Sequence, residues 1–207
     1  MVINADGTDL KFSGYSTFYG SAQEFGNLSR FSIDADGNGY EAYVTCNLLD
    51  CKTETSASFS SQIKLNRANP NKLSLGGTSV YVAEDNSAVD AEFVNLQLIN
   101  VGGVNGYVAA LAYGARDNEN VIVAGSSYQT PGSSYSRGSL FISTTSDPNS
   151  LQFLPDYFGA VPTSIVFDQR SSQRFYVADA INLWSTSNQG TTFTDLTSNL
   201  PSNISRP

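Results

Sequence analysis

The chain has 207 residues, of which 14 % are charged, and its net charge is −8. This acidity argues against nucleic acids and anionic membranes as partners, because both attract surfaces rich in lysine and arginine. No run of about 18 apolar residues exists, so the sequence predicts no membrane span. The 11 Tyr and 12 Phe, together with abundant Ser, Thr and Asn, favour strands joined by polar turns in a domain with a sizeable core.

Residues 28–45 are the first part of the chain with a clear β pattern, since apolar and polar side chains alternate on both sides of the turn DADGNG. This turn carries oxygen donors at alternate positions, as calcium-binding loops do. Asp34, Asp36 and Asn38 are therefore candidate calcium ligands, although Thr45 stands where an EF-hand loop would place its bidentate Glu. The alternative is a plain hairpin turn, which Asp-Gly and Asn-Gly favour. No other cofactor is indicated.

The two cysteines, Cys46 and Cys51, are separated by four residues. This spacing and the extracellular type of composition favour a disulfide that closes a small loop over a pair of free thiols. A zinc site would need two more ligands, and the chain has no His and no further Cys.

From residue 59 onward the sequence repeats one order of elements three times: a strand, a polar turn, two further strands, a second polar turn and a last strand. The units begin near Ile63, Ala109 and Ser164, so their period is about 45–55 residues, as in propeller blades. In the first unit, residues 91–96 are predicted to be the fourth strand. No helix of any length is indicated.

Residues 126–139, between two strands of the second unit, are rich in Tyr, Ser and Gly and are predicted to be a long loop. Such residues form adaptable contact surfaces for a protein or glycan ligand. The alternative is a connecting loop without a contact role.

Residues 183–200, LWSTSNQGTTFTDLTSNL, show the repeated pattern most clearly and predict a strand, a tight turn and a second strand. Asn188 can bond to the backbone two residues on, and Gly190 can adopt a positive φ without a Cβ clash. Phe193 then resumes the strand and is expected to pack over the turn, with Trp184 near the same core. Pro201 ends the pattern because proline cannot donate to a β ladder.

This stretch resembles the Asp-box, the pattern Ser/Thr-x-Asp-x-Gly-x-Thr-Trp/Phe of sialidase-like and sortilin-like β-propellers. Thr186, Gly190, Thr192 and Phe193 match the pattern, and Asn188 replaces the usual Asp. The resemblance covers about residues 59–201 and implies that these side chains hold a turn rather than bind a substrate. It also implies a bacterial, non-catalytic member of the family, or a fragment of one.

The fold class that follows is all-β: a β-propeller or partial propeller of about four four-stranded antiparallel blades. Residues 1–58 are expected to form an irregular blade or blade remnant, and residues 59–207 three Asp-box-like blades. Because such propellers usually have more blades, we expect further blades from the same or another chain as partners.

Three functions are compatible with the sequence. The first is a non-enzymatic binding or scaffold module of a larger extracellular protein, located outside the cell or at its surface. The second is part of a sialidase-like, glycan-acting hydrolase, although the arginines are scattered and no facing carboxylate pair can be selected. The third is a structural subunit that assembles through edge strands. A Ser-His-Asp triad is excluded because the chain has no His, and no catalytic residue is predicted.

Overall fold

The structure is a computed structural model, and it describes residues 2–3, 14–22, 25–48, 62–128, 137–168 and 170–200. The described part consists of strands and turns, with a short 3₁₀ segment at Thr197–Asn199. Within these ranges, no helix is long and apolar enough to cross a membrane.

The strands follow one another along the chain with short connections in most places. In chain order they are β1 (Val2–Ile3), β2 (Tyr15–Gly20), β3 (Ser29–Asp34), β4 (Gly39–Cys46), β5 (Gln62–Leu65), β6 (Lys72–Gly76), β7 (Ser79–Glu84), β8 (Phe93–Leu96), β9 (Ile99–Gly103), β10 (Tyr107–Ala115), β11 (Asn118–Tyr128), β12 (Arg137–Ser143), β13 (Gln152–Leu154), β14 (Pro162–Asp168), β15 (Ser171–Asp179), β16 (Leu183–Thr186) and β17 (Thr194–Asp195).

These strands form four sheets, each built mainly from consecutive antiparallel strands. The strand orders are β1-β2-β3-β4-β8 in the first sheet, β5-β6-β7-β9 in the second, β10-β11-β12-β13 in the third and β14-β15-β16-β17 in the fourth. The first strands β1, β5, β10 and β14 are neighbours in that order, so the sheets are arranged side by side around a common inner edge. The predicted class, an all-β propeller-type fold of about four blades, is confirmed.

One predicted strand pairing is wrong. Residues 91–96 were expected to be the fourth strand of the second sheet, but β8 pairs in parallel with β4 of the first sheet, and β9 takes the fourth place. Val94 and Leu96 are buried in the core of the first sheet, so the alternation identified a strand and its buried face but not its partner. β8 lies after residue 58 in the sequence but belongs to the first sheet, so it connects the two regions that were expected to divide between residues 58 and 59. That division stays a prediction.

Three apolar clusters fill the three spaces between neighbouring sheets. The first lies between the first and second sheets and includes Leu28, Val44, Leu73 and Leu75. The second lies between the second and third sheets and includes Val80, Val82, Leu111 and Ile122. The third joins the third and fourth sheets through Val121, Leu140, Phe167 and Phe175. Stability therefore comes from sheet-on-sheet packing, with each inner sheet burying both of its faces.

A buried ion pair joins the first and second sheets. Arg30 of β3 and Asp85, which follows β7, are each 1 % exposed, and Nη1 lies 2.9 Å from Oδ2. Tyr19 donates its hydroxyl to the same carboxylate oxygen at 2.5 Å, and Arg30 Nη2 donates to the carbonyl of Ala88 at 2.6 Å. Burial, together with the Asp85 carboxylate, raises the pKa of Tyr19 well above its usual value. Two side chains of the first sheet thus hold a carboxylate that follows the second sheet's β7, which ties the two sheets together.

Replacing Asp85 with Ala should lower the free energy of unfolding by about 3–5 kcal/mol, because the buried Arg30 guanidinium would lose its counter-charge. The matched control is Asp90→Ala in the same connection, where Asp90 is exposed. That variant should stay within about 0.5 kcal/mol of the parent. Urea unfolding measures both values, and equal stabilities for the two variants would show that the ion pair does not hold the sheets together.

Candidate functional site

A cleft of about 240 Å³ opens where the first strands of the second, third and fourth sheets lie side by side. It is thus at the inner edge of the stacked sheets, where three separate parts of the chain meet. The described residues that line it are Lys64, Leu65, Asn66, Arg67, Leu111, Ala112, Tyr113, Gly114, Ile165, Val166 and Phe167. None of these described residues is acidic, and two are basic.

The two basic side chains, Lys64 and Arg67, are both exposed. Arg67 is fixed at the mouth of the cleft, because its backbone N–H donates to the carbonyl of Tyr113 at 3.1 Å and its Nη1 donates to the carbonyl of Phe167 at 3.4 Å. Neither cation forms an ion pair within the described part of the chain. The cleft therefore presents two positive charges on a protein whose net charge is −8.

Asn66 stabilises the wall of the cleft through the hydrogen bonds of its side chain. Its side chain is buried, and its Nδ2 donates to the carbonyl of Glu119 in the third sheet at 2.6 Å. Its Oδ1 accepts from the backbone N–H groups of Ala68 and Asn69 at 2.8 and 2.9 Å, which closes the turn after β5. Gly114 makes this approach possible: its φ is +78°, and a Cβ there would lie 2.2 Å from the Asn66 oxygen.

Lys72 is also near this junction, but its charge is neutralised. Its Nζ lies 2.6 Å from Glu119 Oε1 and donates to Asn120 Oδ1 at 2.9 Å. The lysine ammonium lowers the pKa of the Glu119 carboxyl. Lys72 therefore ties the second sheet to the third, whereas Lys64 stays available to a ligand.

Tyr113 contributes a buried phenol to the cleft wall. Its hydroxyl lies 3.5 Å from Ser146 Oγ, and burial raises its pKa. The phenol is consequently neutral at physiological pH, so the charge in the cleft comes from Lys64 and Arg67.

The candidate calcium ligands lie elsewhere, in the turn between β3 and β4 of the first sheet. Asp34 Oδ1 accepts from the backbone N–H groups of Asp36 and Asn38, and Asp34 Oδ2 accepts from Asn38 Nδ2 at 2.9 Å. The Asn38 amide in particular lowers the pKa of Asp34. Among the described residues, no three His, Cys, Asp or Glu side chains cluster closely enough to hold a metal. The contacts are those of a hairpin turn, and calcium binding here stays a prediction.

Cys46 ends β4 and packs, half-buried, against the core of the first sheet. Cys51 lies outside the described residues, so the disulfide stays a prediction. The prediction of a loop at residues 126–139 includes strand residues at both ends, because β11 continues to Tyr128 and β12 begins at Arg137. Its middle, residues 129–136, lies outside the described part.

The turn between β16 and β17 is closed by side chains of the Asp-box-like stretch. Thr186 Oγ1 accepts from the backbone N–H groups of Asn188 and Gly190, at 3.3 and 3.0 Å, and donates to Asn188 Oδ1 at 2.9 Å. Asn188 Oδ1 also accepts from the N–H of Thr192, and its Nδ2 donates to Thr192 Oγ1. Gly190 has a φ of +83°, and a Cβ there would lie 2.5 Å from Leu154 of the third sheet. These side chains hold a turn, and none of them lines the cleft.

Phe193 packs, half-buried rather than fully buried, against the cluster between the third and fourth sheets. Its ring meets the rings of Tyr157 and Phe175 edge-on, at centroid distances of 5.6 and 6.0 Å. Trp184 joins the same cluster and contacts the Tyr157 ring. The aromatic residue that follows the turn thus helps to fix the fourth sheet on the third.

Sequence reasoning missed Asp179, a buried carboxylate at the end of β15. Its Oδ2 accepts from the Tyr157 hydroxyl, the Ala160 N–H and Trp184 Nε1, each at 3.0 Å. Its Oδ1 accepts from the N–H groups of Ile181 and Asn182 at 2.8 and 2.7 Å. With five donors on two oxygens, Asp179 organises a turn and is occupied by protein groups. The sequence offered one signal for this role, because Asp179 stands at the end of a predicted strand, directly before a turn.

No protein-family model matches the sequence, and the search of curated proteins gives no match. Among solved structures, the crystal structure of an ancestral GH74 enzyme, a propeller-type glycoside hydrolase, is similar to this chain. The TM-score is 0.50 and the sequence identity 16 %, over 86 % of this chain. The chain spans 23 % of that enzyme's length. At this identity the similarity shows the fold alone, so the chain has a β-propeller fold, and its relation to the Asp-box family stays a proposal.

Gly190→Val should destabilise the fourth sheet, because a β-branched residue resists a positive φ and its Cβ would collide with Leu154. Phe193→Ala should cost up to about 3 kcal/mol, since the ring is only half-buried. Asn188→Ala should cost less, roughly 1–2 kcal/mol, through lost turn hydrogen bonds.

Thermal melts of the three variants test this order, with Ser198→Ala, at an exposed position in the 3₁₀ segment, as the control. Parent-like melting of Gly190→Val and Phe193→Ala would contradict it.

Proposed function

We propose that the chain is a non-enzymatic binding module of a larger extracellular protein, and that the cleft between β5, β10 and β14 binds a small ligand bearing a carboxylate or similar anion. The observation that carries this proposal is the presence of Lys64 and Arg67, without acidic partners among the described residues, in a cleft on an acidic protein. Isolated cations on such a surface attract anions selectively, because the rest of the surface repels them.

The chemistry of the cleft suits an anionic ligand with an apolar side. A guanidinium offers a fork of N–H donors that matches a carboxylate, and an ammonium adds a point charge. Val166, half-exposed at the opposite wall, offers an apolar surface. A volume of about 240 Å³ is slightly below the range of about 300–1,000 Å³ for drug-sized ligands, so the occupant should be as small as a single sugar ring.

The described lining residues offer no acid–base pair for catalysis. Glycoside hydrolysis requires two carboxylates that flank the bond to be cleaved. The two buried carboxylates of the described chain, Asp85 and Asp179, accept hydrogen bonds from protein groups on opposite sides of the fold. This arrangement supports binding rather than turnover in this part of the protein.

The second candidate is a part of a glycan-acting hydrolase, and the fold shared with the GH74 enzyme is compatible with it. In that case the carboxylates would come from residues outside the described ranges or from further blades. Both candidates share a saccharide-sized ligand, so they differ in the reaction and not in the ligand class.

Titration of the ¹⁵N-labelled chain with glucuronate, followed by amide chemical shifts, tests the proposal. Shifts should concentrate at Lys64, Arg67, Gly114 and Val166, and glucose at the same concentrations should leave them unchanged. The double variant Lys64→Gln/Arg67→Gln should bind at least about tenfold more weakly, because each lost charge-assisted hydrogen bond costs about 1.5–3 kcal/mol. Arg137→Gln, an exposed arginine at the start of β12, is the control and should bind like the parent.

Equal shifts with glucose and glucuronate, or shifts outside the cleft, would contradict the anion site. Release of reducing ends from any member of a panel of neutral and acidic polysaccharides by the parent chain would instead support the hydrolase candidate.

A further inference from the structure

Each of the second, third and fourth sheets carries an arginine in the turn after its first strand. Arg67 follows β5, Arg116 follows β10 and Arg170 follows β14. These arginines are 49 and 54 residues apart in the sequence, which matches the period of the repeated units. All three are exposed. The repeat thus places one guanidinium at a corresponding position of each of these sheets.

The three turns meet around the hairpin of β14 and β15, beside the mouth of the cleft. Arg67 donates to a backbone carbonyl of β14. The turn that carries Arg116 reaches β15, because Asp117 accepts from the N–H and hydroxyl of Ser172 at 2.7 and 3.2 Å. Arg170 lies in the turn between these two strands. The three arginines therefore belong to one end of the fold, although the sequence scatters them.

The carboxylates of the same three turns have partners within the protein. Asp117 is bonded to Ser172, as described. Asp168 accepts from the backbone N–H two residues on at 2.9 Å, and its other oxygen lies 4.0 Å from Arg174. Glu119 is paired with Lys72. None of these carboxylates pairs with the arginine that the repeat places in its turn.

Positive charge is therefore in excess at this end of the fold. Residues 64–72, 114–120 and 166–174 contain six cations and three carboxylates, on a chain whose net charge is −8. Within the described ranges, the side chains of Arg116 and Arg170 form no ion pair, as is also the case for Lys64 and Arg67 in the cleft. The positive surface thus extends from the cleft across the two following turns.

The spacing of these charges restricts the kind of anion that fits them. Sheets packed face to face lie about 10 Å apart, so the turns of consecutive sheets present their arginines at intervals of that order. One sugar acid in the cleft is too small to span all three turns. A nucleic acid strand has a phosphate for about every 3.4 Å of the helix axis, and the acidic remainder of the surface repels so dense a polyanion. A polysaccharide in which acidic and neutral sugars alternate carries more widely spaced carboxylates.

We propose that the ligand is an extended acidic polysaccharide with a carboxylate on every second sugar. One acidic sugar occupies the cleft at Lys64 and Arg67, and the next acidic sugars along the chain are bound by Arg116 and Arg170. This inference rests on the proposed function, because the cleft anchors the polysaccharide. Each further contact with an exposed arginine then forms within an existing complex and strengthens binding by about two- to fivefold.

Calorimetry and amide shifts of the ¹⁵N-labelled chain test the proposal, with glucuronate compared to a hexasaccharide of alternating glucuronate and N-acetylglucosamine. The hexasaccharide should bind at least about tenfold more tightly, which exceeds the statistical gain from its three glucuronates. Its amide shifts should extend from the cleft to residues 116 and 170. Added salt should weaken the hexasaccharide complex more than the glucuronate complex, because more exposed charge contacts are screened.

Arg116→Gln and Arg170→Gln should each lower the affinity for the hexasaccharide by about two- to fivefold, so the ratio of hexasaccharide to glucuronate affinity should fall. Arg137→Gln is the matched control. Arg137 is exposed and pairs with the last residue of β11, whereas the turn that carries Arg116 precedes the first residue of that strand. The control should therefore keep the ratio of the parent.

The outcomes separate this inference from the proposed function. Cleft shifts with glucuronate, combined with a hexasaccharide that gains only the statistical factor, would overturn the extended site and leave a site for one sugar acid. An unchanged affinity ratio in either arginine variant would overturn it as well. Absence of cleft shifts with glucuronate would overturn the proposed function and this inference with it. Equal binding of a neutral glucose hexasaccharide, or tighter binding of hexathymidylate, would overturn the acidic polysaccharide as the ligand.

Discussion

At two of the three junctions between sheets, the turn after one sheet's first strand bonds to the second strand of the next sheet, and this contact limits how the two sheets can stack. Apolar burial drives the sheets together, but it is non-directional and allows one sheet to slide or rotate on another. Asn66 and Asp117 remove this freedom, because each must meet its partner on the next sheet with hydrogen-bond geometry. A buried amide such as that of Asn66 is costly to leave unpaired, so an arrangement that separates it from the Glu119 carbonyl is disfavoured.

The same turn positions the candidate binding cleft. Asn66 lies between the second and third sheets, and Arg67 is the next residue. The Arg67 guanidinium therefore reaches across the inner edge and donates to the carbonyl of Phe167. Leu111 and Ala112 of the intervening strand line the wall between them. The cleft and the stacking contact thus arise from consecutive residues, which links ligand binding to the order of the sheets.

Local patterns predicted most strands, because alternation reports which side chains face a core. Residues 28–45 were predicted to be strands on both sides of a turn, where β3 and β4 lie, and the third unit was predicted to begin near Ser164, which lies in β14. The turn at 186–193 was also identified from Asn188, Gly190 and the aromatic residue that follows. Partners could not be read in the same way, since alternation is identical for a strand in either sheet. That is why β8 was assigned to the second sheet when it extends the first.

The polar contacts between sheets had no local signal at all. Arg30 and Asp85 are 55 residues apart in sequence, and each looks like an ordinary surface residue until the fold brings them together. Lys64 and Arg67 were two of several scattered cations, and only the adjacency of β5, β10 and β14 makes them a site. The candidate site therefore depended on tertiary structure more than the fold did.

Amide hydrogen exchange in Asp117→Ala tests most directly whether the turn contacts hold the stack. Asp117 is an exposed turn residue, so its loss should leave the apolar clusters intact while removing two bonds to Ser172. The Ser172 amide and its neighbours in β15 should exchange on the order of tenfold faster or more, because bonds to charged groups are worth about 1.5–3 kcal/mol. Amides of β2 and β3 should be unchanged. Unaltered protection at Ser172 and β15 would show that apolar packing alone fixes the sheets, which contradicts the account.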